Sequence, residues 1–142
     1  MYHRTDTEGA KEANEFNREQ LSSFMKTHGI KHVWMYFDGS GDSGQIEEVE
    51  FNGDQKLLTE KIKVKAKNYK FVDNKVQYTI DDEEWTFERL LEEVGYIALE
   101  ENYGGWEINE GSYGDIHIYD TGKGKIEFNE RVMEVNVKEF EF

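Results

Sequence analysis

Two glycine-rich segments of this chain carry the side chains that could do chemistry. In residues 38–44, the side chains of Asp38, Ser40 and Asp42 supply oxygen atoms at alternate positions. Loops that bind Ca²⁺ or Mg²⁺ also place oxygen ligands at alternate positions, because these hard cations prefer oxygen. Asp38 and Asp42 are therefore candidate ligands for a metal ion.

The rest of this segment departs from the EF-hand calcium loop. Such a loop has glycine at its sixth position, an apolar residue at its eighth and glutamate at its twelfth. Here Ser43, Gln45 and Val49 occupy those positions. A hairpin loop of polar, turn-forming residues explains the same sequence. We expect the hairpin and no cofactor, with binding of Ca²⁺ or Mg²⁺ as the alternative.

The second glycine-rich segment, residues 104–115, contains Trp106, Glu107, Asn109 and Tyr113. Carboxylates beside aromatic rings can form an acid–base pair, because burial separates their pKa values. The same residues also suit an ordered loop whose tryptophan packs on the core. We expect the ordered loop, and we treat these residues as candidates for binding rather than catalysis.

A third polar group, Asn129, Glu130 and Arg131, interrupts a β-strand pattern. It is explained either by a bulge with a glutamate–arginine ion pair, or by an arginine that clamps an anion beside the two glycine-rich segments. The chain has no cysteine, no His-Glu-x-x-His spacing, and neither a nucleophile-elbow nor a phosphate-loop motif. The sequence therefore assigns no catalytic residues.

Hydrophobic spacing predicts two helices that would position these segments. Residues 8–28 place apolar side chains along one helical stripe, and Gly29 follows as a C-terminal cap. Residues 82–102 form the second helix, with Asp81 as its N-terminal cap and an apolar face on one side.

The remaining apolar runs predict strands at residues 31–37, 45–51, 61–67, 69–72, 76–80, 113–119, 125–129 and 132–142. A glycine-containing loop would join the first two, a short hairpin would turn at residues 73–74, and a bulge would lie at residues 138–139. The predicted fold is α+β, with two helices packed on one face of a mainly antiparallel β-sheet. We expect a single domain over residues 1–142, with residues 1–6 disordered.

The chain is strongly acidic, with a formal net charge of −14 over 142 residues. Its charge is uneven, because residues 56–75 carry seven lysines and two acids. Direct nucleic-acid binding is not expected of so acidic a chain, because it requires cationic groups that displace counterions. No apolar run is long enough for a membrane span. We expect a cytoplasmic protein whose lysines protect the edge of a sheet.

The predicted second helix would carry Glu84, Glu88 and Glu92 at successive positions four residues apart. With neighbouring acids they would form one strongly negative element. We expect this acidic surface to meet a basic protein surface, because complementary charge steers encounter.

Three blocks follow one another in the sequence: residues 38–47, 105–114 and 127–131. In these blocks the chain resembles a domain family of unknown function found in bacterial, plasmid and phage proteins. It departs from that family at Ile108, where the family has a polar residue, and at Glu110 and Glu127, where the family has aspartate. The resemblance covers roughly residues 30–142. It implies that the blocks belong to one fold and one surface, on proteins that travel with mobile elements.

Two functions therefore stay open. The first is an acidic, non-enzymatic binding protein, such as a phage or plasmid factor that occupies a basic surface of a host or defence protein. The second is a small metal-binding module or metal-dependent enzyme built on the three blocks. We also expect the three blocks to converge on one surface, because each interrupts a strand pattern with polar groups that need partners.

Overall fold

The computed structural model describes residues 4–40, 43–102 and 111–130. In chain order the elements are α1 (Arg4–Thr27), β1 (His32–Ser40), β2 (Ser43–Phe51), a 3₁₀ turn (Gln55–Thr59), β3 (Lys61–Val72), β4 (Lys75–Thr86), α2 (Phe87–Asn102), β5 (Ser112–Tyr119) and β6 (Gly124–Glu130). All strand pairs are antiparallel, and the predicted α+β class is confirmed. The strand predicted at 132–142 and its bulge lie outside the described residues.

Helix α1 begins at Arg4, before the start predicted at residue 8. Its C-terminus is a Schellman cap in which the Ile30 N–H bonds to the Met25 carbonyl at 2.8 Å and Gly29 has a φ of +68°. The buried side chains of α1 recur every four residues: Ala13, Asn17, Leu21 and Met25. This stripe packs one face of the helix on the core.

Within the described residues, the main sheet has four strands in the order β2-β1-β5-β6. Alternate residues of β1 and β5 are buried and point to the same side: Val33, Met35, Phe37, Ile116 and Ile118. Helix α2 covers that side so closely that a β-carbon at Gly95 would lie 3.1 Å from the Met35 methyl carbon. Side chains of both helices belong to this same core cluster.

The segment predicted as a loop between β1 and β2 is largely paired strand. The ladder continues through Asp38 with Gln45, Gly39 with Gly44, and Ser40 with Ser43, so the prediction of a long loop over residues 38–44 was wrong. A bulge shifts the register between Tyr36 and Phe37. The extra residue turns Ile46 onto the buried side, which explains the broken alternation of this strand.

Strands β3 and β4 form one long hairpin and a sheet of their own. We predicted two separate pieces, but all twelve residues of β3 pair with β4. The turn is at the expected place, and Asp73 and Asn74 have φ values of +50° and +61°. Positive φ at both central residues is the geometry of a type I′ turn, whose twist matches that of the strands.

Only the part of this hairpin near the helices is packed. Ile62, Val64 and Ala66 are buried, whereas the residues beyond Asn68 are mostly exposed. The buried amide of Asn17 attaches β3 to α1, because it donates to the Lys65 carbonyl at 2.9 Å and accepts from the Lys65 N–H at 2.7 Å. The side chain of one helix residue thus occupies the edge of β3.

The acidic run before α2 belongs to β4 and not to the helix. Residues 81–84 pair with the lysine-rich part of β3, and Lys65 forms an ion pair with Asp82 at 3.7 Å. Helix α2 begins at Phe87, where the Thr86 hydroxyl accepts a hydrogen bond from the Arg89 N–H at 3.1 Å. The predicted cap at Asp81 was therefore wrong, because cross-strand pairing with lysines outweighs the local preference for a helix.

Candidate functional site

The side of the four-stranded sheet that points away from α2 is a candidate binding surface. Its residues alternate with the buried ones and are here called the outward face: His32, Trp34, Tyr36, Asp38, Glu48, Glu50, Tyr113, Asp115, His117, Tyr119, Lys125, Glu127 and Asn129. Aromatic rings and carboxylates are mixed on it. Among the described residues it carries five carboxylates and one lysine.

Residues of all three sequence blocks lie side by side on this face. Asp38 of β1 is directly opposite Tyr113 of β5, which is opposite Asn129 of β6. At the next position Gly39 pairs with Ser112, and Ser112 with Glu130. The order of strands produces this arrangement, because β5 lies between the other two. Whether these residues bind a partner stays a prediction.

Several predicted site residues cannot be placed on this face. Asp42, Trp106, Glu107, Asn109 and Arg131 lie outside the described residues. For Ser40 and Glu130 the backbone positions are described, in β1 and β6. The described part of the predicted site therefore consists of the side chains of Asp38, Tyr113 and Asn129.

Hydrogen bonds fix the aromatic side chains of the outward face. The Trp34 indole N–H donates to Asp115 Oδ1 at 2.7 Å, and the Tyr36 hydroxyl lies 3.5 Å from Asp38 Oδ2. Trp34 keeps 36 % of its surface exposed. A ring that is held in place and still accessible can bind a ligand with little loss of conformational entropy. We did not predict a role for Trp34, although its alternation with Val33 and Met35 could have indicated that it points outward.

Two histidines at one end of the outward face form a pair that the sequence analysis missed. His32 Nε2 lies 2.8 Å from His117 Nδ1, and the ring of Tyr119 stacks on His32. Burial, and then the neighbouring His117, lower the pKa of His32. His117 Nε2 lies 3.7 Å from Glu127 Oε1. Only the pairing of β1 with β5 brings these side chains together, so no local sequence signal could have found them.

The predicted metal site gains no further ligands from the described residues. In residues 4–40, 43–102 and 111–130 no group of three or more His, Asp or Glu side chains is arranged to hold a metal ion. Binding of Ca²⁺ or Mg²⁺ by Asp38 and Asp42 stays a prediction. It requires a rise in melting temperature with millimolar ion that Asp42→Asn abolishes.

The acidic partner surface predicted on the second helix is divided between two elements. Glu84 lies in β4 opposite Lys63, whereas Glu88 and Glu92 lie on α2. The prediction that the three share one helix was therefore wrong. Burial, followed by the charges of Glu88 and Glu93, raises the pKa of Glu92. These α2 acids form a smaller acidic surface than we expected.

A cavity of about 740 Å³ lies between α1, α2, the β3–β4 hairpin and the end of the main sheet. Its walls include Leu21, Trp85, Val94 and Ile118, and Lys65 and Glu83 also line it. The described block residues and the predicted partner-surface acids Glu84, Glu88 and Glu92 do not belong to its walls, although Glu93 and Glu101 of α2 do. The predicted site and this cavity are thus separate features.

A second exposed surface lies at the far end of the β3–β4 hairpin, here called the distal hairpin and comprising residues 67–80. Its large apolar side chains point into solvent, and Phe71 is 72 % exposed, Val76 60 % and Tyr69 57 %. Lys67 Nζ lies 4.7 Å from the centre of the Tyr78 ring, within cation–π range. Folded proteins seldom expose so many apolar side chains together unless they contact something.

Comparison with known families identifies the chain. Residues 13–142 match the family described as "Family of unknown function (DUF6878)", and the chain belongs to that family. No curated protein matches the chain, and no solved structure does. Neither α1 nor α2, the helices of the described part of the chain, is long and apolar enough to cross a membrane.

Proposed function

We propose that this protein is an acidic, non-enzymatic binding protein whose outward face takes up a lysine- or arginine-rich segment of a partner protein. The observation that carries the proposal is the alignment of Asp38, Tyr113 and Asn129 across three neighbouring strands. One residue from each sequence block thus contributes to one surface of a rigid sheet. A carboxylate, an aromatic ring and an amide that could contact the same ligand are therefore adjacent on this surface.

The chemistry of the outward face favours a cationic ligand. Lysine and arginine are attracted to the faces of aromatic rings, and each such contact contributes about 0.5–1 kcal/mol at an exposed site. Carboxylates add charge-assisted hydrogen bonds to the same groups. Trp34 lies between Glu50 of β2 and His117 of β5, and Tyr36 lies between Glu48 and Asp115. A cation could therefore contact a ring and a carboxylate together.

The outward face is a better candidate than the acids of α2. Glu84 belongs to β4, and the ladder pairs it with Lys63. Glu92 is partly buried, and its raised pKa reflects repulsion from its acidic neighbours as well as burial. On the outward face, in contrast, carboxylates of β2 lie opposite the aromatic residues Trp34 and Tyr36 of β1.

The net charge of −14 suits this role. A strongly acidic protein attracts a basic surface at long range and so raises the rate of encounter. We extend the proposal to a cytoplasmic inhibitor or accessory factor, encoded by a phage or plasmid, that occupies a basic surface of a host or defence protein. Its origin on mobile elements rests on the sequence resemblance alone.

Titration with a short arginine-rich peptide tests the binding surface. We compare the outward-face variant Glu48→Lys/Glu50→Lys with the matched helix variant Glu88→Lys/Glu92→Lys, because both change the net charge equally. We expect the outward-face variant to weaken peptide binding at least about tenfold, which corresponds to about 1.4 kcal/mol. The helix variant should keep binding within about threefold, the reduction expected from distant charges alone.

The pair of variants also separates the two acidic surfaces. If only the helix variant loses binding, the contact is on α2 and the proposed face is wrong. If both lose binding equally, the peptide responds to total charge and the protein has no specific site. Binding should weaken with salt in every case, so all measurements are made at one ionic strength.

A further inference from the structure

The distal hairpin presents exposed apolar side chains and several lysines. Inward-facing residues of β3 are buried up to Ala66, but the strand continues for six more residues, most of which are exposed. Tyr69, Phe71, Val76 and Tyr78 lie together on the side of the ribbon opposite to the buried side chains of β3. The exposed apolar surface of the hairpin is therefore separate from the core that the hairpin helps to form.

The charge of the distal hairpin is opposite to that of the molecule. Lys67, Lys70 and Lys75 accompany its apolar side chains, and Asp73 is the single acid among residues 67–80. The chain as a whole carries −14. Symmetric contact between two distal hairpins would bring two positively charged segments together. A favourable partner must therefore be acidic and also offer apolar or aromatic surface.

The outward face of the same chain has those properties. It has five carboxylates to one lysine among its described residues, and Trp34 and Tyr113 are exposed on it. The sizes also match. Six strand residues extend about 20 Å, and four strands spaced about 4.8 Å apart span about 14 Å. A distal hairpin is long enough to cross the whole sheet.

We infer that the distal hairpin of one molecule binds the outward face of a second copy of this chain. The inference rests on the proposed function, because it treats the hairpin as a cationic, aromatic segment of the kind that the outward face binds. Phe71 and Tyr69 would contact the aromatic side chains of the face, whereas Lys70 and Lys75, on the other side of the ribbon, would add the positive charge that attracts the hairpin to the carboxylates.

Such a contact joins two different surfaces, so it is heterologous. Each bound copy still offers a free distal hairpin at one end and a free outward face at the other. A heterologous contact closes into a ring or continues as a filament, according to the rotation between copies. The assembly should grow with concentration and should dissociate as salt screens the charges.

Complementation between two variants tests this arrangement. The hairpin variant is Lys70→Glu/Phe71→Ser/Lys75→Glu, and the face variant is Glu48→Lys/Glu50→Lys. Light scattering after size exclusion measures mass at protein concentrations up to about 200 μM, at which a contact with a Kd of about 10 μM is mostly formed. We expect wild type to associate, each variant alone to be monomeric, and the equimolar mixture to form a dimer.

The mixture is decisive because it restores one intact contact. The hairpin variant keeps its outward face and the face variant keeps its distal hairpin, so one of each can join and neither can extend. A monomeric wild type overturns the inference, and so does a mixture that stays monomeric. Association of the face variant alone also overturns it, because it would indicate contact between two hairpins. Circular dichroism verifies that both variants are folded.

Cysteine cross-linking tests the contact directly, because the chain has no cysteine of its own. We mix Val76→Cys with Glu48→Cys under mild oxidation and compare the yield with that of each variant alone. The mixed disulfide should exceed either homodimer at least about threefold, since only it joins the two surfaces. Equal yields would contradict the proposed geometry.

Peptide binding separates this inference from the proposed function. The hairpin variant should bind the arginine-rich peptide as well as wild type does, because its outward face is unchanged. If the peptide binds the outward face while wild type stays monomeric, the proposed function stands and the second copy is not a ligand. If the peptide binds neither wild type nor the hairpin variant, the proposed function is wrong, and the inference that rests on it is wrong as well.

Discussion

The four-stranded sheet and the β3–β4 hairpin follow the same alternating pattern but differ in what covers them. In the sheet, β1 is buried on one side from Val33 to Phe37, and Gly95 of α2 lies close above Met35. In the hairpin, burial ends after Ala66 although pairing continues to Val72. Backbone pairing alone therefore does not determine which residues are buried. A paired strand becomes part of the core only where other elements of the fold pack against its side chains.

This difference separates the parts of the fold that contribute most to stability from the exposed part that is available for binding. The sheet and the near half of the hairpin are held by many contacts, including the two hydrogen bonds of Asn17. The distal hairpin contributes exposed apolar surface and few packing contacts. Substitutions should therefore lower the free energy of unfolding most in the sheet, less in the near half of the hairpin and least at its tip.

The largest effect is expected at Gly114 of β5, where this strand pairs with β6. An added β-carbon would overlap the carbonyl oxygen of Glu127, which belongs to the backbone of the neighbouring strand and cannot rotate away. Gly114→Ala should lower the free energy of unfolding by about 3 kcal/mol, measured by urea denaturation. Gly29→Ala is the control. It has no neighbour within 4 Å and costs about 1 kcal/mol through its positive φ alone. A small loss at Gly114 would mean that the strands separate easily.

The next effect is expected at the attachment of the hairpin to α1. Asn17→Leu removes both partners of the Lys65 backbone, and the side chain that replaces them excludes water. We expect a loss of about 2 kcal/mol and faster hydrogen exchange at the Lys65 amide. Glu15→Leu, on the exposed side of α1, should leave both unchanged. If hydrogen exchange at the Lys65 amide were unchanged in Asn17→Leu, the side chain of Asn17 would not be what holds β3 to α1.

A smaller effect is expected at Asn68, where the packed and exposed halves of the hairpin meet. Its amide donates to Asp81 Oδ2 at 2.8 Å and to Glu83 Oε2 at 2.9 Å, and these bonds are the first cause that lowers the pKa of each carboxyl. Asn68→Ala should raise both pKa values toward the ordinary range, as followed by NMR titration. Gln77→Ala should move neither.

The same substitution has a pH dependence of definite sign. A pKa lowered by folding means that the unfolded chain binds more protons, so these bonds stabilise the protein above the ordinary carboxyl pKa. Their contribution disappears as the pH falls through the lowered pKa values of Asp81 and Glu83. The stability difference between wild type and Asn68→Ala should therefore be present at neutral pH and shrink in acid. A difference that grows in acid would exclude this explanation.

The smallest effect is expected at the tip, where one substitution can be compared at two places on the same hairpin. Val76→Thr should change stability by less than about 0.5 kcal/mol, because Val76 is 60 % exposed. Val64→Thr places a hydroxyl in the core and should cost about 1–3 kcal/mol. Thermal or urea unfolding of the pair measures the contrast. Equal costs would mean that the distal hairpin is packed as firmly as the proximal half.

The fold class and most elements could be predicted because they depend on local pattern. The apolar stripe of α1, the cap at Gly29 and the turn at Asp73 and Asn74 each follow from a few neighbouring residues. The start of α2 could not be predicted in this way. Residues 81–84 resemble the acidic first turn of a helix, and their true partners are lysines of β3 about twenty residues earlier. Tertiary pairing outweighs local preference there.

The candidate site likewise has one part that the sequence predicted and another that it could not predict. The resemblance of the three blocks implied one surface, and Asp38, Tyr113 and Asn129 do lie side by side. The histidine pair and the contact of Trp34 with Asp115 depend on which strands are neighbours and in what register. Neither the order of strands nor their register can be read from any one strand. Glycines in residues 38–44 suggested a loop, yet most of that segment pairs as strand.

The two hydrogen bonds that join α1 to the turn after β5 have a consequence for the order of folding. The Ser22 hydroxyl donates to the Asp120 carbonyl, and the Arg18 guanidinium donates to the Gly122 carbonyl at 2.9 Å. These partners are 98 and 104 residues apart in the chain. A ribosome therefore completes α1 long before it makes the turn that α1 binds. Contacts of such separation slow folding, because a long loop must close before they form. During synthesis the apolar stripe of α1 can pack on β3 and α2 first, so the bonds to the turn after β5 should be among the last contacts of α1 to form.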